Sequence, residues 1–253
     1  MTEPAPAAPT AAFYARGGSR AADWLTVLHP PYTAWHLAYV AIGAALAPHL
    51  DWAVCWLSLA GFLLAVGIAA HALDEWNGRP LHTSISAPAL WTAAILSLAG
   101  AVALGITVLR HSGLVLLPFI AAGVVLVLGY NLELFGGVLH TDLGFALAWG
   151  GFPLAVGYVA QGPPWTVPGT LALLLGVAAA TALSAAQRRL STPARALRRR
   201  AVGVEGRIAY ADGTTDPVDR AYLLDPLDGT LKLLSAVVPT LAAALLLARW
   251  AGR

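Results

Sequence analysis

The sequence predicts an all-α, polytopic transmembrane helical bundle. Hydrophobic residues make up 58% of the 253-residue chain and charged residues only 11%, and the mean hydropathy is +0.70. These charges are too few to cover the surface of a water-soluble globule of this length. Apolar stretches long enough to cross a bilayer recur along the chain and predict about seven helices, with six or eight as alternatives.

The predicted helices follow one another with mostly short connections. Each is close to the roughly 20 residues that a transmembrane helix needs. Residues 1–22 are rich in Pro, Ala and Gly and lack an apolar stretch, so they predict a disordered tail and not a signal peptide. Residues 23–253 are then expected to form a single transmembrane domain. Its predicted helices cover residues 34–49, 52–73, 88–109, 113–131, 142–160, 168–186 and 230–250.

The longest connection, residues 187–229, is predicted to be a loop with structure of its own. Its first half, QRRLSTPARALRRR, has arginines on several helical faces and an apolar side of Leu190, Ala194 and Leu197. This pattern predicts a short amphipathic helix on the membrane surface. Its second half contains ADGTTDP between the short apolar runs RIAY and AYLL, which predicts a small β-hairpin.

The basic residues predict the orientation in the membrane. All 15 Lys and Arg residues except Arg110, Arg249 and Arg253 fall on the side of the N-terminus and the even-numbered loops. Cytoplasmic loops carry an excess of Lys and Arg, so we expect this side to be cytoplasmic, in the plasma membrane of a prokaryote. The run RALRRR follows the same rule and suits anionic lipid headgroups, so nucleic acid is not an expected partner.

Ionisable residues concentrate on this same side. His71, Asp74 and Glu75 end the second predicted helix, where positions i, i+3 and i+4 share a face. Ionisable groups at such places are costly and usually functional. The chain therefore predicts one cytoplasm-facing polar cavity under the long loop. Further polar groups on that side are Arg79, His82, Asn131, Glu133, His140, Asp142, Gln187, Arg188, Arg189, Asp225 and Asp228.

Several segments, taken in order, resemble the UbiA-type intramembrane prenyltransferase superfamily. They are WLTVLHPPYTAWHLAYVAIGAALA, the polar motif that closes the second helix, the link GRPLHTSISAPAL, and YNLELFGGVLHTDLGFALAWGGFPLAVGYVA. Together they lie within residues 24–190. The resemblance implies a UbiA-like helical bundle that holds an isoprenoid diphosphate through Mg²⁺ bound by two Asp-rich motifs. It also implies transfer of the prenyl chain to an aromatic or other acceptor.

The resemblance implies roles for individual residues. Asp74 matches a metal-binding aspartate of the first motif, and Glu75 is a second ligand there; Arg79 and Tyr130 complete the implied catalytic set. His71 stands in place of a polar residue of the family motif. The residues that we predict to bind the substrate are Arg79, His82, Asn131, Gln187, Arg188 and Arg189.

The chain departs from the family pattern at three places. The sixth helix ends in SAAQRRLSTPAR, which has no carboxylate, so either Asp225 and Asp228 replace the second motif or the second magnesium site is absent. Tyr130 is followed by Asn131 and Glu133, where the family has basic residues. The family usually has nine spanning helices, and this chain predicts about seven.

Prenyl transfer gives these groups physical roles. Negative charge develops on the departing diphosphate, and Mg²⁺ and arginine side chains stabilise it. Aromatic faces shield the prenyl cation, and the candidates are Trp76, Trp91, Tyr130 and Trp149. Aromatic side chains at these positions equally suit anchoring at the membrane interface.

Two other functions stay open. The first is a UbiA-like scaffold repurposed as a metal-dependent, lipid-modifying enzyme with Fe, Mn or Zn. Its nitrogen and oxygen donors are His71, Asp74, Glu75, Glu133, His140 and Asp142. The second is a non-catalytic subunit or assembly factor of a membrane complex, which Gly and Ala at helix-packing intervals favour. An enzyme requires a polar pocket continuous with an apolar groove, whereas a structural subunit is expected to pair its carboxylates with its own arginines.

Overall fold

The computed structural model describes residues 19–252 and places most of them in helices. Two antiparallel strands are the other regular elements of this part of the chain. Residues 1–18 of the predicted tail lie outside the described residues. The first helix begins at Arg20, within the range predicted for the tail. The helices are α1 (Arg20–Val27), α2 (Pro30–Leu46), α3 (Trp52–Trp76), α4 (Ala87–Ser112), α5 (Leu114–Asn131), α6 (Asp142–Ala160), α7 (Val167–Arg199) and α8 (Arg220–Ala251).

Six helices of the described chain, α3 to α8, are long and apolar enough to cross a membrane. The predicted all-α polytopic bundle is therefore confirmed, and its apolar helices indicate a lipid bilayer as the surrounding medium. Helix α2 is also apolar, but its 17 residues lie at the short end of what spans a bilayer. The predicted segments correspond in order to α2 through α8.

Helix α7, which corresponds to the sixth predicted segment, is longer than predicted. It runs without interruption from residue 167 to Arg199 and includes Pro193, so the separate surface helix predicted for QRRLSTPARALRRR is wrong. Extending an existing helix by one residue costs less than nucleating a new one, which favours this continuation. The basic end of α7 therefore stays attached to the bundle.

The predicted β-hairpin is confirmed between α7 and α8. Strand β1 (Gly206–Ala209) pairs antiparallel with β2 (Thr215–Val218). Gly213, with a φ of 86°, lies in the turn between them, where a left-handed backbone favours glycine. Helix α8 then begins because the Asp219 carboxylate caps it by accepting a hydrogen bond from the N–H of Tyr222.

Helix α2 lies between α8 and the second half of α6. Glycines allow the close approach of α2 and α6: a Cβ on Gly157 would overlap the carbonyl oxygen of Val40, and one on Gly43 would overlap that of Leu154. Small residues permit such contact where lipid supplies no hydrophobic force between helices. This packing holds the start of α2 against the other helices that carry the polar residues.

Hydrogen bonds join the connections at one end of the bundle. The amide and hydroxyl of Ser84 donate to the Asp23 carboxylate of α1, at 2.9 and 2.5 Å, and these bonds lower the pKa of Asp23. The Asn77 side chain donates to the Asn131 carbonyl at 3.0 Å. The end of α3 is thus tied to α1 and α5, and the candidate site lies at this end.

Candidate functional site

A cavity of about 180 Å³, which we call the polar cavity, lies at the end of the bundle where α3 and α5 terminate. Of the residues predicted from the sequence, it brings together His71, Asp74, Tyr130, Asn131, His140, Gln187 and Arg188. The predicted cluster of polar groups therefore forms in part.

Helix α7 supplies the positive charge of the polar cavity. Arg188, Arg195, Arg198 and Arg199 all line it, and we call these four residues the arginine stripe. Residues three, four and seven positions apart on a helix lie on one side, which explains why all four reach the same space. Arg195, Arg198 and Arg199 were not among the predicted site residues, because the sequence placed them in a separate surface helix.

Two arginines of the stripe have carboxylate partners. Arg188 Nε lies 2.9 Å from the carboxylate of Asp142, which is 76% exposed, and Arg198 forms an ion pair with Asp228. Within residues 19–252, Arg195 and Arg199 have no ion pair. The stripe therefore keeps uncompensated positive charge.

Asp74 is the one carboxylate among the described residues that line the polar cavity. It has no hydrogen bond or ion pair within the described chain, and the charges of Arg195 and Arg199 act on it. A carboxylate in this setting is available to a bound molecule. The prediction that placed Asp74 in the site agrees with this position.

Imidazoles form part of the lining of the polar cavity. His71 stacks on His29 with the ring centroids 4.5 Å apart, and its Nδ1 lies 3.2 Å from the carbonyl oxygen of Gly67. Because a carbonyl only accepts hydrogen bonds, His71 donates to Gly67 in the tautomer that carries its proton on Nδ1. Burial lowers the pKa of His29 well below its usual range, and neighbouring positive groups add to the effect, so His29 is neutral at pH 7.

Two polar atoms in the wall of the cavity lack partners. The Tyr130 hydroxyl and Gln187 Oε1 are buried and accept or donate no hydrogen bond within the described chain. Tyr130 is held by its ring, which stacks on His140 at 4.5 Å and meets Trp149 edge-on at 5.4 Å. Leaving a buried polar group unpaired costs about 1–3 kcal/mol, which a bound molecule would recover.

An apolar groove of about 100 Å³ adjoins the polar cavity between α3, α4, α5 and α6. We call it the apolar groove. Phe62, Phe119 and Phe152 line it. Val66 and Trp149 line both the groove and the cavity, so the two spaces meet at these residues.

The junction of the two spaces coincides with irregular helix geometry. Val66 belongs to a π-helical stretch of α3, Leu63–Ala70, and Trp149 to a π-helical stretch of α6, Leu147–Gly151. Such stretches are rare and often occur at functional sites because they reorient side chains within a helix. No sequence signal had indicated them.

Glu75 and Arg79, predicted as catalytic, do not line the polar cavity. The fully buried Glu75 carboxylate accepts hydrogen bonds from the N–H of Leu81 and from the N–H and hydroxyl of Thr83, at 2.8–2.9 Å. Arg79 donates to the carbonyls of Thr83 and Ile85 at 3.2 and 2.6 Å. Both side chains stabilise the loop after α3, because they form hydrogen bonds with its backbone N–H and carbonyl groups.

The remaining predicted site residues also lie outside the cavity lining. Glu133 is 58% exposed, with its carboxylate 3.8 Å from His140, and Asp142 and Asp228 pair with arginines of the stripe. The predicted replacement of the second Asp-rich motif is therefore not assembled beside Asp74. The predicted residues outside the lining are Glu75, Arg79, His82, Glu133, Asp142, Arg189, Asp225 and Asp228.

The donors in the cavity do not fit the magnesium centre that the resemblance implies. That centre is built from two Asp-rich motifs, and Asp74 is the single carboxylate of the described lining, so the ligands of the second motif are missing there. The alternative iron, manganese or zinc set is dispersed as well, because Glu75 is committed to the loop and Glu133 and Asp142 lie outside. In residues 19–252 no three His, Cys, Asp or Glu side chains are grouped as metal ligands.

Several cavity residues were not predicted. The arginines of the stripe beyond Arg188 would have been found by continuing the helical spacing of Gln187 and Arg188 through Pro193. His29, Tyr32 and His36 come from the start of α2. Nothing in their local sequence distinguishes them from residues at a membrane interface, because packing of α2 brings them to the site.

Comparison of the chain with family models, curated proteins and solved structures finds no match.

Proposed function

We propose that this chain is an intramembrane enzyme of the prenyltransferase type that binds an isoprenoid diphosphate. The diphosphate head occupies the polar cavity, and the prenyl tail occupies the apolar groove. The observation that carries the proposal is the junction of these spaces at Val66 and Trp149. A ligand that fills both must be apolar along one part and strongly polar at the other.

The charge of the cavity supports an anionic head. Guanidinium groups bind phosphate oxygens through paired, charge-assisted hydrogen bonds. The arginine stripe places four of them in the cavity lining, and two of these, Arg195 and Arg199, have no ion pair within the described chain. The basic residues predict that this end of the bundle faces the cytoplasm, and we propose that orientation. Water-soluble diphosphate then leaves into the cytoplasm.

The lining of the groove supports a prenyl tail. Gly61, Gly105 and Gly123 leave room between α3, α4 and α5, and aliphatic and phenylalanine side chains form the rest of the lining. The Phe119 and Phe152 ring centroids are 6.2 Å apart. Burying an apolar chain here is favourable relative to water, at roughly 25 cal/mol per Å².

The chemistry assigned to the site is a substitution at the allylic carbon. The bond from this carbon to the diphosphate oxygen breaks and the oxygen keeps the electron pair, whose charge the arginine stripe stabilises. The faces of Tyr130 and Trp149 steady the allylic cation. The acceptor forms the new bond to this carbon, and Asp74 takes the proton that the acceptor loses.

A non-catalytic subunit is a second candidate, favoured by the ion pairs of Arg188 with Asp142 and of Arg198 with Asp228. A structural protein is expected to neutralise its own charges in this way. Asp74, Arg195 and Arg199 remain without such pairs in the described chain, and this difference favours the enzyme.

Replacing Gly123 with leucine tests the proposal, because the new side chain fills the groove while leaving the polar cavity intact. We expect Gly123→Leu to weaken binding of geranylgeranyl diphosphate about tenfold or more, equivalent to about 1.4 kcal/mol. Binding of inorganic diphosphate should not change. Radiolabelled ligands and the protein in phosphatidylcholine nanodiscs provide the measurement.

Ala122→Leu is the matched control, since Ala122 is exposed on the same helix and does not line the groove. This variant should bind both ligands like the unmodified protein. Failure of the unmodified protein to bind geranylgeranyl diphosphate, or equal binding by the two leucine variants, would contradict the proposed function.

A further inference from the structure

We infer that the arginine stripe binds the diphosphate head directly, with no divalent cation between protein and phosphate. The inference rests on the proposed function and concerns how its substrate is held. It separates this chain from the magnesium-bridged arrangement that the sequence resemblance implies.

Apart from Asp74, the carboxylates predicted to bridge a metal are committed elsewhere or lie outside the described cavity lining. Asp142 and Asp228 form ion pairs with Arg188 and Arg198. Glu75 is fully buried, and its carboxylate accepts hydrogen bonds from backbone N–H groups of the loop after α3. Asp74 is therefore left as the lone carboxylate in the described lining, which is the lower limit of the one or two carboxylates that usually hold Mg²⁺ beside substrate phosphates.

The free charges of the cavity favour an anion. Arg195 and Arg199 are without ion pairs in the described chain, and their charges act on Asp74. A divalent cation beside Asp74 would be repelled by both guanidinium groups, whereas a diphosphate is attracted by them. Both arginines are exposed as well as cavity-lining, which places them at the opening where a soluble headgroup enters.

The spacing of these arginines suits a head with two phosphoryl groups. Arg195 and Arg199 lie four residues apart on α7, and side chains at this spacing start about 5–6 Å apart. Each guanidinium presents two parallel N–H donors to a pair of phosphate oxygens. One diphosphate therefore reaches both side chains, and Arg188 adds a third donor when it leaves the exposed Asp142.

The test is the binding of geranylgeranyl diphosphate to the protein in phosphatidylcholine nanodiscs, with EDTA and then with Mg²⁺. We expect dissociation constants that agree within about twofold in the two conditions. Arg195→Gln and Arg199→Gln should each weaken binding about tenfold or more in EDTA, because a charge-assisted contact is lost. Arg189→Gln is the matched control, since Arg189 is exposed and does not line the cavity.

Asp74→Asn distinguishes direct from metal-bridged binding. If the arginines hold the head directly, removing this negative charge should keep or tighten binding both in EDTA and with Mg²⁺; at a metal bridge it should abolish the binding measured with Mg²⁺. Binding that requires Mg²⁺ would overturn the inference and leave the proposed function standing. Unchanged affinity in both arginine variants would also overturn it, and absence of binding in either condition would remove the proposed function as well.

Discussion

Glu75→Ala is expected to lower the free energy of unfolding by about 3 kcal/mol, because three partly buried donors lose their acceptor. The carboxylate holds the N–H of Leu81 and both donors of Thr83. The loop that it stabilises contains Arg79 and His82 with φ values of 52° and 54°, a strained region for residues other than glycine. Without Glu75 this strain is no longer compensated.

Thermal unfolding of the protein in nanodiscs and limited proteolysis of residues 77–86 measure this effect. Asp74→Ala is the matched control at the neighbouring position, where no hydrogen bond is lost. We expect the loop to be cleaved faster in Glu75→Ala and the Asp74→Ala variant to unfold like the unmodified protein. Equal unfolding temperatures for the two variants would show that Glu75 does not hold the loop.

Asp74→Asn is expected to lower prenyl transfer by about 10²- to 10⁴-fold, the usual contribution of a positioned proton acceptor. Asparagine keeps the shape of the side chain but no longer accepts the proton. The measurement is the incorporation of radiolabelled prenyl chains into lipid extracts of membranes that contain the protein. Binding of geranylgeranyl diphosphate, determined in parallel, should be retained.

Glu75→Gln is the comparison for this prediction, because it changes the adjacent carboxylate in the same way. We expect its transfer rate, normalised to folded protein, to stay close to that of the unmodified chain. Transfer by Asp74→Asn at the unmodified rate would remove Asp74 from the chemistry. A rate that falls only in proportion to lost folded protein would assign it a structural role.

The neighbouring carboxylates show where sequence reasoning reaches its limit. Residues i and i+1 of a helix point about 100° apart, so one of Asp74 and Glu75 had to face away from any shared cavity. Which of them faced inward depended on the packing of α3 against α5 and on the course of the following loop. The resemblance favoured Asp74, and the structure places Asp74 in the cavity and Glu75 in the loop.

Other features were predictable from the sequence only where a short segment of the chain determines them. The hairpin was predictable because ADGTTDP specifies its turn within a few residues. The helices were predictable because apolar length alone identifies a span. The arginine stripe was missed because Pro193 and the density of charges made the end of α7 look like a separate helix. His29 and His36 were missed because tertiary packing brings them to the cavity.

The central claim is that one amphipathic molecule occupies both the polar cavity and the apolar groove. Photocrosslinking with a geranylgeranyl diphosphate analogue that carries a diazirine on its last isoprene unit tests this claim most directly. We predict labelled peptides from the groove-lining segments of α4 and α5, lost when unlabelled geranylgeranyl diphosphate is added. Labelling confined to lipid-facing residues such as Leu174 and Leu175, or labelling that the unlabelled ligand does not suppress, would contradict the claim.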